Sequence, residues 1–230
     1  MPSKLNTPEL ARSHGLAGVG FAALIVLGNV ILVPAGMPRT GAATGEVLAF
    51  FTAERPAVAV VTALTPLAWA LAALFGAGAV RALWEAEREA RQAWALAGFA
   101  GILLQNTLFA GVVALRLALA STSHGEDAAQ ALWALHDALF ALNGTFLALA
   151  MTGLSLAGLR ARIIPRWHAV LGLLGAALQF SSATLAFWVV DEPGPLGLLG
   201  LTGWLLWVLW IVVYGLTLAR LTPWRRPAAA

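Results

Sequence analysis

Long apolar stretches alternate with short polar ones along this chain. Six stretches reach the roughly 20 mostly apolar residues that a helix needs to cross a bilayer: 15–34, 57–80, 93–120, 128–158, 167–190 and 196–219. The predicted fold is therefore all-α, a bundle of six transmembrane helices in one domain over residues 1–222. A disordered tail, 223–230, is expected after it, holding Pro223, Pro227 and three alanines. The third and fourth stretches exceed the bilayer's needs, which implies tilt or projection beyond the lipid. The first apolar run, Leu16 to Val33, is longer than the 7–15 residues of a signal-peptide core, so it reads as an uncleaved anchor.

Composition supports the same class. Hydrophobic residues make up 60% and charged residues 11%, with mean hydropathy +0.82. A soluble domain sits nearer 45–50% apolar and about 25% charged. The pI of about 10.5 does not imply nucleic acid, because the basic residues lie in short segments between apolar runs, where they act as topology signals. The expected partner is the lipid bilayer. With no cysteine, disulfides, thiolate nucleophiles, iron–sulfur ligation and covalent haem attachment are excluded.

Lysine and arginine set the orientation. One side collects Lys4 and Arg12, then Arg81, Arg88 and Arg91, then Arg160, Arg162 and Arg166, then Arg220, Arg225 and Arg226. The other side holds Arg39 and Arg55, and Arg116 lies inside the third stretch. Both termini are expected in the cytoplasm of a cell whose plasma membrane holds the protein.

The connections differ in kind. Residues 35–56 form the one long outer loop, and Gly45 to Arg55 reads as a short amphipathic helix. Thr44 is its expected N-cap, and Val47, Leu48 and Phe51 share a face. This helix either lies on lipid headgroups or forms a lid over an outward-facing cavity. Pro56 suits the first turn of the second span. Arg81 to Arg91 continues that span into the cytoplasm, with Arg81/Glu85 and Glu87/Arg91 as i,i+4 pairs. Asp191 to Pro195 reads as a tight turn. Gly98-x-x-Gly101 and Gly200-x-x-Gly203 hint at an inverted three-plus-three repeat, although recurrence by chance is the preferred explanation.

Polar residues inside the spans carry the candidate chemistry. An ionised group at mid-bilayer costs about 2.5–3.5 kcal/mol, so such groups face the bundle interior and pair. His136, Asp137 and Asn143 fall within two turns of the fourth span. Asn29, Thr65 and Arg116 share the outer half of the membrane with His136 and Asp137, while Asn106, Asn143 and Gln179 lie deeper. Arg116 is expected to pair with Asp137, with His136 and Asn143 on an adjoining wall; the alternative is that Arg116 snorkels to the headgroups. Pro66 is expected to kink the second span, Thr62 and Thr65 satisfying the freed carbonyls.

Other chemistry finds less support. His14 and His168 read as interfacial anchors, which leaves one deep histidine where a b-type haem commonly needs two. His124, Glu126 and Asp127 lack metal-ligand spacing. No cofactor is expected. Trp84, Trp94, Trp167, Trp188 and Trp224 read as interfacial belts. Trp204, Trp207, Trp210 and Tyr214 serve either packing or an aromatic wall for a ligand.

The outer piece Glu46 to Arg55, the polar fourth span, and Leu159 to Trp167 leading into Leu171-Gly172-Leu173-Leu174-Gly175 together resemble bacterial six-helix integral membrane proteins of domain-of-unknown-function families. That resemblance implies a fold and no catalytic residues. The preferred function is a small-molecule-binding or accessory membrane subunit with a polar pocket opening outward, taking an apolar or amphipathic ligand. The candidate binding residues are Asn29, Thr65, Asn106, Arg116, His136, Asp137, Asn143 and Gln179. One rival is a transporter subunit, dimerising through helices such as that of Gly172-x-x-Gly175. The other is a membrane enzyme with His136 as base, Asp137 orienting it and Arg116 stabilising an anion.

Overall fold

The structure, a computed structural model, describes residues 7–121, 125–191 and 194–221. Lys4, His124, Glu192, Trp224, Arg225, Arg226 and the predicted tail at 223–230 lie outside them. Among the described residues there are eight helices and no strand: α1 (Thr7–Leu32), α2 (Thr44–Ala53), α3 (Arg55–Glu89), α4 (Trp94–Ser121), α5 (Glu126–Arg160), α6 (Arg166–Thr184), α7 (Ala186–Asp191) and α8 (Gly197–Arg220).

Five of these, α1, α3, α4, α5 and α8, are long and apolar enough to cross a membrane. The fifth predicted span, 167–190, is instead two helices that break at Leu185. Its residues explain the difference. His168, Gln179, Ser181 and Ser182 dilute the apolar run. The Thr184 hydroxyl donates to the Phe180 carbonyl at 2.8 Å, a back-bond of the kind that bends helices.

Neighbours in sequence are neighbours in space, as short connections require. α1 packs on α3, α3 on α4, α4 on α5, α5 on α6 and α6 on α8, and α8 returns to α1. The result is a closed ring of six helices. Aromatic side chains fill its middle: Phe21 meets Trp207 edge-on with ring centres 5.5 Å apart, and Phe75 meets Tyr214 at 5.9 Å. The void left between Phe21, Phe75, Ile102, Gln105 and Trp207 is only about 10 Å³, about the space of one water. Trp207, Trp210 and Tyr214 are thus core packing, while Trp204 is half-buried. Trp84, Trp94, Trp167 and Trp188 point outward, as a belt requires.

Close helix contact depends on missing side chains. A Cβ on Gly153 would lie 2.4 Å from the Gly98 backbone nitrogen, and one on Gly101 would lie 2.5 Å from that of Ala150. Hydrocarbon gives helices no hydrophobic reason to associate, so small residues that let backbones touch supply the dispersion contact. The Gly98 and Gly101 pair is used against α5, while Gly200 and Gly203 face Ser182 and Gln179 of α6. Gly172 and Gly175 are likewise buried within the chain, against Ser155, Trp210 and Met151. That corrects their expected availability for a dimer.

Local details refine the expectations or differ from them. Ala43, not Thr44, precedes the first turn of α2, with no side-chain cap. α3 runs unbroken through Pro66. The Thr65 hydroxyl bonds the Val61 carbonyl at 2.9 Å, one residue before the Thr62 carbonyl that Pro66 leaves without a donor. Near the end of α3 Glu85 pairs with Arg88 at 2.9 Å rather than with Arg81, and Glu87 turns inward to the Ala95 amide rather than pairing with Arg91.

Gly153→Ala should destabilise the bundle by about 1–3 kcal/mol, since rigid backbone must move to admit the methyl group. Gly45→Ala in α2, where nothing lies within 4 Å, should shift stability by no more than about 1 kcal/mol, in the stabilising direction. Denaturant titration of helical circular dichroism in detergent distinguishes the two. Equal stabilities would show that α4 and α5 are not in backbone contact.

Candidate functional site

The polar cluster lies at the end of the bundle where α4 finishes and α5 begins. Trp133, His136 and Phe140 recur at helical spacing, so they stack along one face of α5. The Trp133 and His136 rings lie 4.2 Å apart and 10° from parallel, and Phe140 covers the other face of the imidazole at 6.1 Å. His136 is 3% exposed and Asp137 1%.

Hydrogen bonds run through the imidazole. Arg116 Nε donates to His136 Nε2 at 3.0 Å, and His136 Nδ1 lies 2.9 Å from Asp137 Oδ1. A guanidinium nitrogen can only donate, so Nε2 must accept and the ring proton must sit on Nδ1. That tautomer then donates to the Asp137 carboxylate. The histidine is neutral and bridges a cation to an anion. Arg116 and Asp137 were expected to pair directly, and the structure corrects this. Asp137 is rotated about 100° from His136 on the helix, toward Gly41 in the segment between α1 and α2, so the imidazole reaches α4 instead.

The segment between α1 and α2 closes over the carboxylate. The Gly41 amide donates to Asp137 Oδ2 at 2.8 Å. Gly36 and Gly41 adopt φ of 90° and 78°, which side chains disfavour, so two glycines shape this strap. α2 then seats Val47, Phe50 and Phe51 against Leu32, Val58, Leu119 and Trp133. Phe51 and Trp133 have ring centres 6.0 Å apart. The apolar face of α2 thus rests on protein. The expected outward-opening pocket is closed over His136 and Asp137.

Arg116 keeps an open side. It is half-buried, and its guanidinium carbon lies 5.9 Å from the centre of the Phe109 ring. Among the described residues, no side-chain or backbone acceptor takes a hydrogen bond from its two terminal amino groups, and no carboxylate lies within ion-pair distance.

The other predicted residues do not join. Asn29 is exposed and donates to Ile25 O of its own helix. Thr65 bonds its own backbone. Asn106 donates weakly to Trp69 O at 3.4 Å. Gln179 donates to Gly200 O at 3.1 Å, tying α6 to α8. Asn143 is buried with Oδ1 unpartnered. Glu126 and Asp127 sit in the first turn of α5, and the described residues hold no group of three metal-binding side chains.

Several participants carried little sequence signal. Gly41 acts through its amide, which every residue but proline has. The 133/136/140 spacing is legible as a stack, whereas a spacing of seven groups His136 with Asn143. His168 was expected at the interface. It is 0% exposed, with Nε2 2.9 Å from the Trp210 carbonyl. Trp210 Nε1 donates to Ser155 Oγ at 3.0 Å and Tyr214 donates to Leu154 O at 3.1 Å. His14 is half-buried, packed on Gly78 of α3. Glu87 is 8% exposed. Its Oε2 accepts from the Ala95 amide at 2.9 Å, capping α4, while Oε1 has no partner. A buried group left in that state costs about 1–3 kcal/mol.

Coupling between Arg116 and Asp137 should pass through His136. Arg116→Gln and Asp137→Asn should show an interaction energy of about 0.5–3 kcal/mol, as members of one network do. In a His136→Phe background it should fall to near zero. Thermal unfolding in detergent measures the cycle, and a coupling that survives the phenylalanine would mean the pair communicates by another route.

Comparison with protein-family models, with curated proteins and with solved structures finds no match for this chain.

Proposed function

We propose a six-span plasma-membrane protein with both termini cytoplasmic that binds an amphipathic anion at the outer end of its bundle. α6 is the sixth span in this reading. At 19 residues it extends about 28 Å, close to the ~30 Å hydrocarbon thickness, and it packs along both α5 and α8. The lysine and arginine distribution then places the strap and α2 outside.

One observation carries the binding reading. Among the described residues Arg116 presents two terminal amino groups to no acceptor, while the carboxylate of Asp137 is held one imidazole away by His136 and Gly41. Arg116 is thereby oriented through Nε and left able to hold a carboxylate or phosphate by its outer donors. Phe109 and Phe140 beside it offer apolar surface for a tail. The filled ring interior gives transport through the bundle no support.

A second reading has its own observation. Asp137 holds the Nδ1 proton, which makes Nε2 the basic atom of His136, as in a general base. Arg116 covers that atom in this closed arrangement, so the enzyme reading requires the guanidinium to swing onto the ligand.

The test uses the full chain in phosphatidylcholine nanodiscs with dodecanoate as probe. Saturable binding is expected, weakened about 10-fold or more by Arg116→Gln, as losing a charged hydrogen bond implies. Arg55→Gln, an exposed change on the same side, should leave it unaltered. Binding that ignores Arg116→Gln would remove the proposal. Chemical change in the recovered probe, lost in His136→Gln with binding retained, would favour the enzyme.

A further inference from the structure

The opposite end of the bundle holds a separate cavity, of about 270 Å³. It lies where α3 turns into α4 and α5 turns toward α6. Its walls are small: Ala86 and Ala90 from α3 and its cap, and Ala157 and Ala161 from α5 and its cap. Three polar side chains complete it, and they divide by depth. Glu87 is buried, whereas Gln92 and Arg160 are exposed at the rim. Arg160 donates to Gln92 Oε1 and lies 5.7 Å from the Trp94 ring centre. It thus stands over the cavity without pairing with the carboxylate. No ion pair joins Glu87 to Arg160 among the described residues.

Capping does not exhaust Glu87. One carboxylate oxygen takes the Ala95 amide, and the other is buried with no donor. A helix cap needs one acceptor, and among the described residues no cation pairs with the carboxylate of Glu87, a residue that lines the cavity. The cavity beside it exceeds what a single water fills. A cationic donor suits the inner carboxylate. An anion suits the rim guanidinium, whose remaining donors have no acceptor among the described residues. The alanines between accept only a short body.

We infer that this cavity binds a small zwitterion, its ammonium on Glu87 and its anionic group on Arg160. Two sources share that chemistry: a free solute such as an amino acid or phosphoethanolamine, and the ethanolamine-phosphate headgroup of a bilayer lipid. The site is independent of the Arg116 cluster, which lies at the other end of the same helices.

The experiment has two arms, both on the full chain. O-phosphoethanolamine is titrated calorimetrically into protein in detergent. Separately, melting temperature is compared in nanodiscs of phosphatidylcholine with and without phosphatidylethanolamine. Saturable binding in the first arm identifies a free solute, and a raised melting temperature in the second alone identifies a lipid headgroup. Either response should fall about 10-fold in Glu87→Gln, which keeps an acceptor for Ala95 and removes the charge. It should also fall in Arg160→Met. It should vanish in Ala86→Leu, which fills the cavity from an exposed helical position and keeps the inference testable if Glu87→Gln does not fold. Arg81→Gln should change nothing. No response in either arm overturns the inference, as does a response that survives Glu87→Gln or Ala86→Leu.

Discussion

A neutral imidazole joins the guanidinium of Arg116 to the carboxylate of Asp137, and the end of the bundle where α4 finishes and α5 begins is arranged around that bridge. Removing two charges from water is costly wherever they go, and well-placed hydrogen bonds repay part of that cost. His136 places two of them at once, accepting at Nε2 and donating at Nδ1. The strap adds a third through Gly41. α2 then seals the ring stack with Phe51 against Trp133. A short amphipathic helix, two glycine turns and the facing ends of α4 and α5 thus share one electrostatic requirement.

The rest of the bundle is held by contact rather than by charge. Between helices surrounded by lipid, packing and hydrogen bonds replace the hydrophobic effect. Gly98, Gly101 and Gly153 bring α4 onto α5, and Gly15 and Gly215 bring α1 onto α8, where a Cβ would come within 2.4–2.6 Å of backbone. α8 is further tied inward by Trp210 to Ser155, Tyr214 to Leu154 and His168 to Trp210. These bonds explain why the ring closes with aromatics inside and why leucines face outward along its length.

The two ends present opposite imbalances. At one, Arg116 offers donors without acceptors. At the other, Glu87 offers an acceptor without a donor, and Arg160 stands at its rim. Both ionic groups use part of their bonding capacity within the protein, one to steer a guanidinium and one to cap a helix. A group so anchored is oriented before any ligand arrives, which lowers the ordering cost of binding.

Hydropathy alone determined the helical class, the position of five long helices and the gathering of ionic groups on the third and fourth apolar stretches, because a bilayer's thickness and its intolerance of charge act on each segment separately. It also singled out Arg116, His136 and Asp137. It missed how they connect, because the order Arg–His–Asp depends on the crossing of α4 over α5 and on a strap amide that has no sequence signature. The expected companions Asn29 and Thr65 turned to their own backbones, an option every helical polar residue has and no spacing excludes. The inward turn of Glu87, the burial of His168 and the break at Leu185 were likewise decided by neighbours distant in sequence or by local back-bonding. Only tertiary structure could settle them, because satisfying a polar group is a property of what surrounds it in space.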